Sequence, residues 1–270
     1  MTDAPVVGSY SETGGATKTT TGVSLAVSYA EEHPDELVVL GDLDPRGATT
    51  KWTEATPREP GLDMSAILGN DDVSGWAEEL AVPLDPKKGW PENLRVIPSG
   101  FRVQSTQESM REDHAELRLK RSLKGISAGL VVFDFPNRQG GLITQNGLTA
   151  CNRIVYAGKP DEDGLDGIDG AKETVDKFRD YRREMGLPDS PKEAGIVLGM
   201  AYRGAVVTRD QRRAADSLKE QYGDLLLTPF VPWLGIVLEA RSAGEWYGKY
   251  AASRSVSVAY RELVNKVVTS

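Results

Sequence analysis

The chain has 270 residues, 39% of them apolar and 27% charged, with 32 Lys and Arg against 40 Asp and Glu for a formal net charge of −8. That length can bury a full core as one large domain or two, and one domain spanning 1–270 is the simpler reading. A single cysteine, Cys151, excludes a disulfide framework or a thiolate metal cluster within one chain and suits a reducing compartment, and two histidines, His33 and His114, are too few and too far apart for a metal site. The absence of an 18-residue apolar run and of a charged segment followed by an apolar stretch at the start gives the expectation of a cytoplasmic protein without membrane span or secretion signal.

The first apolar run, Val6–Tyr10, reads as a strand, and the segment Gly14-Gly15-Ala16-Thr17-Lys18-Thr19-Thr20-Thr21 follows it and opens a helix near Thr19. Small residues at such a turn let successive backbone N–H groups converge on phosphate oxygens, a Lys meets the outer phosphates, and a Ser or Thr hydroxyl binds Mg²⁺. Lys18 and Thr19 fill the last two roles, with the positive end of the helix aimed at the same place. Two positions depart from the usual pattern: Thr17, where Gly is expected before the Lys, and Glu12, where the first Gly is expected. A β-branched residue forced to φ > 0 at Thr17 would be strained by ~1–3 kcal/mol.

Further strands are expected at Leu37–Leu40, Leu94–Ile97, Leu130–Phe133, Arg153–Tyr156, Ile196–Met200 and Leu225–Phe230, with the Gly-, Pro- and Asp-rich stretches 82–92 and 158–170 read as loops. Val- and Ile-rich runs alternating with amphipathic segments imply an α/β fold, a doubly wound, mostly parallel sheet with helices on both faces. Ligands of such sheets collect beyond the carboxyl ends of the strands. The second strand ends in Gly41-Asp42-Leu43-Asp44-Pro45-Arg46 and the fourth in Phe133-Asp134-Phe135-Pro136. Three aspartates beside a Lys/Thr phosphate loop form the set that Mg²⁺-nucleotide chemistry requires, some to orient the metal's water shell and one to position an attacking water. Beyond the fifth strand, Lys159 in Ala157-Gly158-Lys159-Pro160 also stands at a carboxyl end.

Charge is unevenly spread: residues 1–193 hold 22 Lys and Arg against 33 Asp and Glu, whereas residues 194–270 hold 10 against 7. If nucleic acid is a partner, the basic C-terminal third is the expected contact, through phosphate neutralisation without sequence preference. Arg203, Arg209, Arg212, Arg213, Lys249 and Arg254 are the candidates; the alternative is that such residues only solvate a helix and its approach.

Taken in order, these motifs carry a family resemblance. Thr13-Gly14-Gly15-Ala16-Thr17-Lys18-Thr19-Thr20 resembles the deviant Walker A loop of the ParA/MinD ATPases, Lys-Gly-Gly-x-Gly-Lys-Thr-Thr. Gly41 to Thr49 is similar to the family's Asp-Leu-Asp-Pro-Gln-Gly-Asn-Ala-Thr, and Val131 to Pro136 to its Asp-x-Pro-Pro Walker B. Val237-Leu238-Glu239-Ala240 and Ala259-Tyr260-Arg261-Glu262-Leu263 echo its Leu-x-Glu-Ala and its closing Ala-Tyr-x-x-Leu helix. The resemblance implies an ATPase with ATP and Mg²⁺, in which Gly14, Gly15, Ala16, Thr17, Lys18, Thr19 and Thr20 cradle the phosphates. It implies that Thr19, Asp42 and Asp134 serve the metal, that Asp44 polarises the attacking water, and that Pro232, in Phe230-Val231-Pro232-Trp233, lies near the base. It also implies an ATP-dependent homodimer that binds DNA non-specifically on the nucleoid, with hydrolysis stimulated by a ParB-like centromere-binding protein or a cargo adaptor. The closing segment Val264–Ser270 is too short and too weakly apolar for the amphipathic membrane helix of other members. The family's hallmark lysine is replaced by Thr13; Lys159 is a candidate for the missing cation, with Arg46 and Arg138 as others, and the alternative is that Lys159 is a solvated turn residue. The cargo reading is plasmid DNA, with a protein body of carboxysome type or a turnover-deficient nucleotide-binding scaffold as alternatives.

Overall fold

Runs rich in β-branched residues become strands here because both faces of the sheet are covered, so each side chain on either side of the pleat is buried. A computed structural model describes residues 4–15, 17–109, 112–199 and 209–270, without the side chains of 209–212, 214 and 215. In chain order the elements are β1 (Val6–Tyr10), α1 (Lys18–Glu32), β2 (Val38–Asp42), α2 (Ala48–Thr53), α3 (Met64–Leu68), α4 (Trp76–Glu79), β3 (Val82–Pro83), β4 (Leu94–Ile97) and α5 (Phe101–Thr106). They continue with α6 (Arg118–Ser122), β5 (Leu130–Asp134), α7 (Leu142–Ala150), β6 (Arg153–Gly158), α8 (Glu162–Glu184), β7 (Lys192–Leu198), α9 (Arg209–Tyr222), α10 (Gly235–Ser242) and α11 (Arg254–Thr269).

The seven strands run β3-β4-β2-β5-β1-β6-β7, all parallel except the antiparallel β3–β4 pair at one edge. One face packs on α1 and α11 through residues such as Val23, Val27, Tyr260 and Leu263; the other packs on α3, α6, α7 and α8 through Ile67, Leu119, Ile143 and Ile168. The consequence for chemistry lies in the centre of the order. With β2, β5 and β1 adjacent, Asp42 pairs in register with Asp134 and Ser9 with Asp134, so three carboxyl ends meet where the loop after β1 turns into α1.

Two expectations about loops and one about a strand are corrected. The stretch 158–170 is a loop only as far as Asp161, whose carboxylate accepts from Gly164 N at 2.9 Å and caps α8. The glycines that suggested a loop are contact points: a Cβ at Gly164 would stand 2.4 Å from the Lys159 carbonyl oxygen, and one at Gly167 2.2 Å from Thr13 Oγ1. Gly164 lets the first turn of α8 close on the Lys159 backbone, and Gly167 lets the helix lie directly on the segment that leads into the phosphate loop. The stretch 82–92 contains the short strand β3. Leu225–Phe230 forms no ladder: Leu226 bridges Ile196, Leu227 N and Val231 N donate to Ile196 O and Leu198 O at 2.9 Å, and Pro229 between them has no N–H to give. β7 also begins earlier than expected, at Lys192, while Met200 lies outside the described residues.

Candidate functional site

Thr17 takes the left-handed conformation, φ 62° and ψ 2°, and precedes α1 without capping it through its side chain. Its hydroxyl instead donates to Gly158 O at 3.4 Å, and the buried side chain packs on Gly199, where a Cβ would come within 2.6 Å of it. The helix's first N–H groups therefore have no partner supplied by a cap, and they open onto the cavity beyond the strands.

Behind that loop lies a buried polar network centred on Asp134. Its Oδ1 accepts from Lys18 Nζ at 2.7 Å, and its Oδ2 accepts from Thr19 Oγ1 at 2.8 Å and Thr49 Oγ1 at 2.9 Å. Lys18 Nζ is also 3.7 Å from Asp44 Oδ2. Asp42 accepts from Thr50 N at 2.8 Å, Thr50 Oγ1 at 2.7 Å and Asp44 N at 3.2 Å, which ties β2 to the start of α2. Complete burial, and next the Asp134 carboxylate beside it, push Asp42 up to about 7 despite the Thr50 hydrogen bonds that pull it down.

A cavity of about 360 Å³ opens on this network, a volume within the ~300–1,000 Å³ usual for small-molecule sites. Gly14, Gly15, Thr17, Lys18, Thr19, Thr20, Asp44 and Lys159 line it, whereas Asp42 and Asp134 sit one layer behind, fully buried. Ala16 lies outside the described residues. Pro232 lines an adjoining apolar pocket with Val231, Trp233 and Tyr260, and Thr17 and Thr20 form the wall between the two. Four further lining residues escaped the sequence reading in this role: Ala48, Asn137, Leu238 and Arg241. The only signal for Arg241 was its place directly after the Leu-x-Glu-Ala segment. Its guanidinium lies over the Trp52 ring, 5.8 Å from the centroid.

Lys18, Arg46, Lys159 and Arg241 thus face one cavity in which Asp44 is the single carboxylate among the described lining residues. This excess of positive charge at a helix N-terminus fits a polyphosphate. Among the described residues no group of three or more His, Cys, Asp or Glu side chains could hold a metal alone. Mg²⁺ fits nonetheless, because it binds through one or two hard oxygen donors, here the Thr19 hydroxyl and the Asp44 or Asp134 carboxylate, together with substrate phosphates. Arg138 is engaged with Glu108 at 3.2 Å. Thr13 has its hydroxyl buried without a partner among the described residues, directed at Gly167 of α8.

A family model described as AAA domain matches residues 5–186. The chain belongs to the ParA/MinD-type P-loop ATPases. It is 27% identical over 191 residues to the chromosome partitioning protein ParA of Myxococcus xanthus, covering 69% of this chain and 62% of that one. Among solved structures, an ATP complex of a Cyanothece McdA variant superposes with a TM-score of 0.78 at 18% identity, covering 100% of this chain and 98% of the other. Cobyrinic acid a,c-diamide synthase from Mycobacterium smegmatis, with an ATP analog and magnesium, superposes at 0.72 with 22% identity, covering 97% and 93%. These structures share the ParA/MinD-type fold.

Of the six basic candidates in this ParA/MinD-type chain, the described residues include the side chains of Arg213, Lys249 and Arg254. Arg203 and the side chains of Arg209 and Arg212 lie outside the described residues, while Arg213 on α9 and Arg254 at the start of α11 are exposed. α9 follows β7, and Tyr222 at its end donates to Asp169 of α8 at 2.8 Å. Lys249 is at the opposite edge of the sheet, packed over Gly89 between β3 and β4 and paired with Glu245 at 2.8 Å. It is separate from Arg213 of α9, with which the sequence grouped it. No helix among the described residues is long and apolar enough to cross a membrane.

Proposed function

We propose that this chain is a ParA-like ATPase that binds ATP with Mg²⁺, dimerises when nucleotide is bound and binds DNA non-specifically on the nucleoid. In this reading it acts in the cytoplasm as one ATPase unit over 1–270, partitioning plasmid DNA with a ParB-like partner that stimulates slow hydrolysis. The observation that carries the reading is Lys18, held 2.7 Å from Asp134 and 3.7 Å from Asp44 at the mouth of a cation-lined cavity. In this reading Lys18 exchanges a carboxylate for a phosphate when nucleotide binds. The unclaimed N–H groups of α1 bind phosphate oxygens, Thr19 offers its hydroxyl to the metal, and Asp44 orients the attacking water. Mg²⁺, when bound, neutralises charge on the phosphate oxygens. Asp42, caged by Thr50 and Asp44, positions the Asp44 loop and does not reach the substrate itself. With Thr13 packed on α8, the cation that other family members receive across the dimer is supplied within the chain by Lys159 and Arg241.

A second reading, positioning of a protein cargo such as a carboxysome, is favoured by the loss of the hallmark lysine at Thr13 and by the full-length match to McdA. ATP turnover measured with and without random-sequence DNA, alongside Asp44→Ala, tests the ATPase. Equal rates for the two proteins would leave only a nucleotide-binding scaffold. DNA binding that needs ATP and weakens steeply with salt supports the partition or positioning cycle. Unchanged ATP-dependent dimerisation and turnover in Lys159→Ala and Arg241→Ala would sink the internal-cation assignment.

A further inference from the structure

The molecule has a second cationic cavity, unconnected with the phosphate loop. It opens at the amino edge of the sheet, where β1 begins at Val6 and Cys151 follows α7, and encloses about 600 Å³. Its floor is apolar, with Val6, Leu123, Ala150 and Cys151. Its rim is made by Lys120 and Arg121 of α6, Lys124 just beyond, and Arg182 of α8.

No ion pair among the described residues involves any of these four cations. Asp189, between the lining residues Pro188 and Ser190, is already spent on Arg179, which donates to both its oxygens at 2.8 Å. Arg182 is held in place, its Nε donating to Pro188 O at 3.1 Å and its guanidinium lying over Phe178. Partial burial, and then the Arg182 charge, hold the Lys120 amine below its ordinary value, so the two cations act on each other across the opening. In a chain with 40 acidic against 32 basic residues, four cations around one concavity with no carboxylate among its described lining residues are an arrangement that an anion would relieve.

We propose that this cavity binds a small amphipathic organic anion, an aromatic or alkyl group carrying a phosphate, sulfonate or carboxylate. The apolar floor covers the carbon part, while Lys120 and Arg182 take the charged group. The volume falls in the ~300–1,000 Å³ range of small-molecule sites, and a bare inorganic anion would leave the floor wet. The site stands independently of the ATPase reading, because no residue of it touches the phosphate loop cavity.

The test is a fluorescence titration of the full chain with 8-anilinonaphthalene-1-sulfonate at physiological salt, repeated with the uncharged analogue N-phenyl-1-naphthylamine. The sulfonate is expected to bind at a single site. Its affinity should fall about tenfold in the double variant Lys120→Ala/Arg182→Ala, and further in Arg182→Glu. Lys18→Ala should leave it unchanged. Equal affinity in the double variant, equally tight binding of the uncharged analogue, or a loss in Lys18→Ala as large as in the double variant would each overturn the proposal. The last result would place the probe at the phosphate loop instead.

Discussion

Replacing Asp134 with Ala removes the acceptor on which three side chains converge. Lys18 would keep only Asp44, at 3.7 Å, and the hydroxyls of Thr19 and Thr49 would lose the oxygen they share. Deleting one member of a buried ion pair costs ~3–5 kcal/mol, since the other charge stays buried and uncompensated. Two features favour the lower end. Lys18 borders a cavity that water can enter, and Asp42 loses the neighbouring negative charge that burdens it. A cost of ~3 kcal/mol, at ~2–4 °C per kcal/mol for a chain of this size, corresponds to a fall of roughly 6–12 °C in Tm. Thermal unfolding followed by circular dichroism, without nucleotide or Mg²⁺, reads it directly. Asp134→Asn keeps an acceptor oxygen and the side-chain volume and should fall between the two. A drop below ~2 °C for the Ala variant would refute Asp134 as the organising centre of the network.

The folded chain holds the Asp42 proton up to about pH 7, against an ordinary 3.8. Because the folded state binds this proton more tightly, the contribution of Asp42 to stability is complete below about pH 4 and is lost as the pH rises through about 7. Urea midpoints in metal-free buffer should therefore vary less between pH 4 and 7 for Asp42→Asn than for the wild type; an unaltered slope would count against the assignment. At Thr17 the left-handed backbone should make Thr17→Gly more stable than Thr17→Ala by ~1 kcal/mol, and the reverse order would show that no strain resides there. Gly167→Ala should destabilise by ~1–3 kcal/mol, since its Cβ meets Thr13 and Ser11 at 2.2 and 2.8 Å, whereas a helix glycine free of contacts would be stabilised by the same change.

Much of the site could be read from the chain because its chemistry sits in three short segments, each at the end of a strand. Continuous apolar runs, buried on both faces, marked β1, β2 and β5, and the order of Lys18, Asp42, Asp44 and Asp134 did the rest. What escaped were features whose cause is tertiary. Gly164, Gly167 and Gly170 resemble loop residues in one dimension, yet on a helix they fall three apart, with Gly167 and Gly170 against Ser11 to Thr13 and Gly164 against the Lys159 backbone. Arg241 reaches the cavity from a helix near the end of the chain, and no local pattern distinguishes it from a solvated arginine. Leu225–Phe230 has the apolar character of a strand, but Pro229 breaks the ladder that composition alone would continue.

Arg241 has a further consequence through the ring beneath it. Trp52 belongs to an aromatic cluster in which it lies 6.0 Å from Trp90, 6.4 Å from Trp246 and 6.2 Å from Tyr247. A cation that swings from an indole face toward an arriving anion alters the electric field in which that indole absorbs and emits. The chain therefore carries its own optical gauge of cavity occupancy, needing no attached dye, with Trp90 and Trp246 close enough to pass their excitation to Trp52.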